Sequence, residues 1–510
     1  MFSWRYGSWR SMSDQPRQTH MVASRVQCFS AERNARCCGS QCGSKNYFYA
    51  LAGVIQVVVA LSPFGSNDGY VRFRQSSCAR VHAQAVGMSI TMIEQPFIDA
   101  AHANAAAIAC SRRSITSGAT VDPIGANICI EGWRGINHSI AIVNQNQILE
   151  LLKCPTLNLF HSDVAYPHAH WNTTKLDAGF GAAQSQQIAA LPSPDGAGPM
   201  DICLRLAVPV GVSDVKPRRR RITFLVTEFG PDIESFLPGQ ADVARYIQGD
   251  DIVITPSTWA KERLIDYGFP VDKVQVVPHG FKTDIFMPQS ATERQLSRQS
   301  LGILEHEVVF SNVGVATWNK GTDLLILAYA QLRNAGHPVR LLLKDQKLLY
   351  GIGIEEVIKT LAREHPIVSS EKVLSGVSIL RNNLNQEQLR SLYSMSDAYV
   401  SPYRGEGFNL PALEAMASGT YVVVTGGGAT DDFVSDRFGY KLKSRPGNRQ
   451  DMPQLEGKFI MPDYIDLYDK LEEIAENPAK FRPRDAMMDW AYLAEHHSWA
   501  AAVRKLVSVL

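Results

Sequence analysis

Glu406 and Glu414 stand eight residues apart in the stretch RGEGFNLPALEAMASGTYVVVTGGG, Arg404 to Gly428. An ionised carboxylate only accepts hydrogen bonds, so two of them suit a ligand rich in hydroxyls. The glycines around Glu406 let backbone come close to a ligand, and the start of a helix favours an anion. Hydroxyl acceptors beside anion donors fit a molecule that carries both a sugar and a phosphate. Taken alone, the pair reads as a solvated loop residue and a surface-helix residue. The flanking glycines and the strand that follows turn the reading towards a ligand site.

The elements that must hold these groups can be read around them. Asn409 and Pro411 open a helix over Leu410 to Ser418, and Gly419 lies just past its end. Tyr421–Thr425 is a short β-branched run, the pattern of a buried parallel strand. A second strand–loop–helix unit lies upstream, with Val308–Val313 as strand, Gly314–Asn319 as loop and a helix begun by Lys320, Gly321 and Thr322. A lysine beside a helix N-terminus is a natural diphosphate partner. Near the start of the legible chain, Asn127–Ile130 is a strand, Gly132 and Gly135 make a tight loop, and Ser139 to Leu152 has helical spacing. Thr156–Phe160 is the next strand and ends at His161, Ser162 and Asp163. Strand ends in a parallel α/β sheet face the ligand crevice, which brings Gly135, His161 and, after the strand Arg221–Thr227, Glu228 towards it. His138 reads equally as a ligand contact and as a helix-start residue. His168 and His170 have no defined ligand spacing and read as a His-rich loop rather than a metal site.

SLYSMSDAYVSPYRGEGFNLPALEAMASG (Ser391–Gly419) resembles the E-x7-E segment of retaining glycosyltransferases of family 4, the group 1 transferases, which have the GT-B fold. DIVITPSTWAKERLIDYGFPVDKVQVVPHGFKTDIFMP (Asp251–Pro288) is a second block of resemblance. The likeness implies two Rossmann-like, doubly wound α/β domains facing each other across a cleft. It implies a nucleotide-sugar donor (UDP-, GDP- or ADP-linked) on the C-terminal domain, with a glycan, lipid-linked or small-molecule acceptor on the N-terminal one. By resemblance Glu414 takes the ribose, Glu406 the hexose and Lys320 the donor phosphates. Arg404, Gly407, Phe408, Asn409, Leu410 and Gly314 are the further donor-side positions, and Gly135, His138 and His161 face the acceptor. The family places an Arg directly after the first glycine of the phosphate loop; here that residue is Val315, and Arg404 or Lys344 is the substitute to examine. The implied reaction is hexosyl transfer with retention. It needs no cofactor and no metal, and no D-x-D occurs in the chain, in agreement with that. Two other readings share the fold, a non-catalytic sugar-nucleotide binder and a glycoside hydrolase or phosphorylase using the two Glu residues as acid and base.

The chain has 510 residues, 45% hydrophobic and 20% charged, with net charge +1. That is room for two or three domains and gives no global signal for nucleic acid. No run of 18 apolar residues marks a membrane span. All nine cysteines precede position 204, which argues against a disulfide framework and for reduced thiols in a cytosol. The basic run Lys216–Arg221 reads as a solvated loop, with an anionic membrane surface as the alternative and peripheral membrane contact as its consequence.

Four segments follow: 1–121, poorly defined; 122–290, an acceptor domain; 291–485, a donor domain; and 486–510, helices that cross back. In the first, an Arg- and Ser-rich start resembles a transit peptide. Cys28, Cys37, Cys38 and Cys42 do not form a zinc pattern, Tyr47–Leu61 is an apolar segment, and Met88 is an alternative start. Asp177–Met200 reads as a loop, and Asp431 and Asp432 as caps of the next helix.

Overall fold

The computed structural model describes residues 125–168, 171, 179–452 and 455–510, all in one compact unit. The readings made for residues 1–124, the transit-like start, cysteine cluster, apolar run and alternative Met88 start, lie outside the described residues, as does His170.

Two six-stranded sheets carry the chain. The first runs β2-β1-β3-β4-β5-β6, with β1 Ala126–Gly132, β2 Leu157–Asp163, β3 Ile202–Leu206, β4 Arg220–Phe224, β5 Ile252–Thr255 and β6 Val274–Val276. The second runs β12-β11-β10-β7-β8-β9, with β7 Val308–Val313, β8 Val339–Lys344, β9 Val377–Leu380, β10 Ala398–Ser401, β11 Tyr421–Thr425 and β12 Gly439–Leu442. Every ladder in both is parallel. A two-stranded antiparallel ribbon, β13 Ser444–Pro446 and β14 Ile460–Pro462, follows. The central strands are buried on both faces, as the apolar runs of β5 and β11 require.

The order of the second sheet is the doubly wound one, reversing direction between β7 and β10. Those two strands pair at only two positions, Ala398 with Phe310 and Tyr399 with Ser311. Beyond them the Asn312 amide donates to the Val400 carbonyl at 2.7 Å, and the strands open into the loops bearing Lys320 and Glu406. Gly321 holds these loops together: its φ is +67°, and a Cβ there would fall 1.9 Å from the Pro402 carbonyl oxygen.

Each sheet has its own core. That of the first gathers Ile128, Ile130, Leu204 and Ile254 and also takes in Trp499, Val503 and Leu506. The helix Trp499–Val507 therefore lies against the first sheet's helix Ser139–Leu151, far from it in sequence. Two sequence expectations need correction. Asp177–Met200 contains a helix, Ala182–Ala189, whose buried Ile188 joins the first core; its Ala and Gln favour a helix, but one large apolar residue leaves no period to read. Asp432 does not cap the helix after it. Its carboxylate accepts from the Thr258 backbone N–H at 2.7 Å, at the start of the helix Thr258–Tyr267 below the first sheet. Asp431 accepts from Gly427 N–H and pairs with Lys441. Within the basic run, Arg220 and Arg221 belong to β4, and Arg221 pairs with Asp251 at 2.7 Å. Among the described residues no helix is long and apolar enough to cross a membrane. Cys129 and Cys203 are free, buried thiols.

Candidate active site

Lys320 is the centre of the cleft. Its ammonium lies 2.6 Å from Glu228 Oε1 and 2.9 Å from Glu406 Oε2. The three residues come from three places, the turn after β7, the loop after β10 and, in the first half, the segment after β4. Burial pulls the ammonium towards its neutral form, but the two carboxylates outweigh it and raise the pKa. Asn319 completes the group by donating from its amide to Glu228 Oε2 at 2.8 Å.

Glu406 is 9% exposed. Burial pushes its carboxyl up to about 7, against the pull of Lys320 and with the help of Glu228. The loop around it fits the first half closely. A Cβ at Gly405 would fall 2.3 Å from the Phe229 ring, and one at Gly407 2.3 Å from Val226 Cγ2. The Gly407 carbonyl accepts from Ser257 Oγ at 2.7 Å. Glu414, one face of the helix Leu410–Ala417, accepts from Tyr393 OH at 3.0 Å. Burial pushes it up to about 8, and the Tyr393 bond only partly offsets that.

Other expected donor-side positions have protein partners of their own. Arg404 makes a bidentate pair with Asp323 (2.8 and 2.7 Å), donates to the Trp318 carbonyl and stacks on the Trp318 ring. Lys344 donates to the Asp345 carbonyl. Phe408 packs between His279 and Phe433, each 4.9 Å away between centroids. Asn409 sits at φ +76°, caps the helix by accepting from Ala412 N–H, and donates to Ser401 Oγ. Leu410 bridges the first core and the one under this helix. Gly314 leaves open space beside Lys320, whose Cγ is 3.9 Å from where a Cβ would stand.

The residues expected on the acceptor side lie in the first half. Gly135, at φ +84°, lines a cavity of about 680 Å³ with Trp133, Arg134, Asp163, Tyr166 and Phe180. His161 and His138 are not among its walls. The Asn144 amide donates to the Trp133 carbonyl and to His161 Nε2, so the His161 ring proton sits on Nδ1, 3.4 Å from Asp163. Burial and then Arg134 lower the His161 pKa to about 4, despite Asp163. His138 caps the helix Ser139–Leu151 by accepting from Ile140 N–H, and packs edge-on against Trp133. Burial and then His168 lower its pKa to about 4, so it is neutral at pH 7.

Sequence reading had placed Glu228 on the cleft but did not join it to Lys320. Asn319, Tyr393, Asn144 and Asp323 are not singled out by the sequence; each is a common polar residue whose role depends on a partner 17 to 91 positions away. Cys129, Glu131 and Cys203 bring ligand-type atoms within 4.8 Å. Glu131 is already held by Arg205 and Ser213, and the hydrogen bond of the Cys203 thiol to Cys129, together with burial, raises the Cys203 pKa.

Two six-stranded parallel α/β sheets, the second with the Lys320 loop at its switch point, have the GT-B fold of glycosyltransferases. Anabaena HepE, solved in complex with UDP-glucose, superposes with a TM-score of 0.54 at 16% identity, over 75% of this chain and 100% of that one. Sucrose-phosphate synthase from Thermosynechococcus elongatus gives 0.50 at 16% identity, over 75% and 98%. Residues 293–452 match the family of glycosyl transferases group 1. The chain is 27% identical over 281 residues to mannosylfructose-phosphate synthase of Agrobacterium fabrum, covering 53% of this chain and 57% of that protein. It is 25% identical over 274 residues to D-inositol 3-phosphate glycosyltransferase of Corynebacterium aurimucosum, covering 51% and 56%. The chain thus spans a little over half the length of these relatives.

Proposed function

We propose that the protein transfers a hexosyl group from a nucleotide-sugar donor to an acceptor hydroxyl, with retention and without a metal. The observation that carries the reading is the Lys320 ammonium held at the switch point between Glu228 and Glu406. A buried lysine there is a point charge for a diphosphate. In the reaction the bond from the anomeric carbon to the diphosphate breaks, and the acceptor oxygen bonds to that carbon. Lys320 stabilises the charge that grows on the leaving diphosphate. Glu414 takes the ribose hydroxyls and Glu406 the hexose hydroxyls. The acceptor proton leaves with the diphosphate oxygen. The donor is a UDP-, GDP- or ADP-sugar; the UDP-glucose bound by Anabaena HepE makes UDP the first to try.

The test is calorimetric titration with UDP, GDP and ADP, followed by release of the bound nucleotide from its glucose and mannose donors. Micromolar binding of one nucleotide, weakened by about tenfold or more in Lys320→Ala, is expected. Absence of binding to folded protein would reject the reading.

A further inference from the structure

We propose, resting on the transferase reading, that the cavity in the first half selects an uncharged acceptor bearing an apolar group, an alkyl or aryl glycoside rather than a sugar phosphate. Trp133, Tyr166, Phe180, Val164 and Ile188 supply aromatic and aliphatic wall. Such rings suit the C–H face of a sugar or an apolar aglycone. The charged residues among the described walls are Arg134 and Asp163, and they are paired through two bonds of 2.8 and 2.9 Å. A third guanidinium N–H goes to the Ile188 carbonyl at 2.7 Å. The pair is lopsided: the Asp163 side chain is 63% exposed and that of Arg134 only 21%. A ligand entering here meets the carboxylate first. That group accepts from hydroxyls and repels a phosphate, whereas the one cation is already neutralised.

In the transfer an acceptor hydroxyl oxygen forms the new bond to the anomeric carbon. The bond to the nucleoside diphosphate breaks, and the hydroxyl proton leaves with it. Binding of UDP, GDP and ADP is measured on the full chain first. Donor turnover is then compared for octyl and p-nitrophenyl glucosides and mannosides, free hexoses and hexose 6-phosphates. The glycosides are expected to exceed the hexose 6-phosphates in kcat/KM by at least about tenfold. Asp163→Asn releases Arg134 from its partner, so that ratio is expected to fall severalfold. Hexose 6-phosphates as the better acceptors, an unchanged ratio in a folded Asp163→Asn protein, or nucleotide binding with no glycoside bound or glycosylated would each overturn the acceptor class while leaving the donor reading standing. Failure to bind any nucleotide would instead reject the transferase reading itself.

Discussion

Lys320 has one ammonium and three anions to serve, two carboxylates already in contact and the diphosphate that a donor would bring. Glu228 and the diphosphate therefore compete. Glu228→Gln is expected to tighten nucleoside diphosphate binding by roughly two- to fivefold, the worth of a partly exposed ion pair. Lys320→Ala is expected to weaken it by about tenfold or more. Calorimetry on both variants decides, and weaker binding in Glu228→Gln would refute the competition. The two site glutamates separate by what they bind. Glu414→Ala should weaken free nucleotide as well as donor, whereas Glu406→Ala should spare nucleotide and depress transfer; equal loss of nucleotide affinity in both would refute the split. Glu414 also sets a pH dependence. With its carboxyl held at about 8, it is protonated at pH 6 and becomes the better hydroxyl acceptor as pH rises. Nucleotide affinity should climb between pH 6 and 9, and Glu414→Gln should flatten the curve. Stability should move the other way. A carboxyl whose folded pKa is raised favours the fold at low pH and loses that contribution as pH rises from the ordinary glutamate range to about 8. Glu414→Gln should therefore raise Tm relative to the parent at pH 8.5 and have little effect at pH 4.

At the scale of elements, the loop between β10 and the helix Leu410–Ala417 is fitted by its glycines. A methyl at Gly407 meets Val226 Cγ2 at 2.3 Å, so Gly407→Ala must displace the Val226 side chain or the loop itself. About 1–3 kcal/mol of destabilisation is expected in urea denaturation, with transfer falling further than stability. Such loops were legible beforehand, because glycine, asparagine and a β-branched run leave local signatures. The strands β7 and β11 were readable to the residue, and Asn409 could be named as a helix start. Its left-handed backbone could not, since no feature of the sequence around it forces φ +76°. Other contacts escaped because they join elements remote in sequence. Asp432 looked like a local cap, yet it caps a helix 174 positions away. Arg404 reads as a phosphate ligand until Asp323 is found against it. A charged residue's type tells what it can bind, and only the fold tells whether a partner has already bound it.

For the whole molecule, the two halves are tied at several points. Glu228 reaches Lys320, Ser257 reaches the Gly407 carbonyl, and the Trp171 indole donates to the Leu349 carbonyl at 3.1 Å. The firmest tie is the helix Trp499–Val507, whose apolar side completes the first core. Trp499 is 4% exposed and packs on His279, which in turn packs on Phe408. Trp499→Ala is expected to cost about 3–5 kcal/mol and to lower donor turnover, because the loop bearing Glu406 and Phe408 rests on Trp499 through His279. Chemical denaturation and steady-state kinetics on the same preparation check both, and loss of stability alone would show that the two are uncoupled.

The placement of that helix also bears on how the chain is made. Domains ordinarily fold in the order in which they leave the ribosome. Here the earlier half is synthesised with a side of its hydrophobic interior still waiting for Trp499, Val503 and Leu506, while the whole of the second sheet is translated in between. A nascent chain arrested before residue 499 should therefore carry a second half that resists protease and a first half that does not, so the part made first would be the last to become safe.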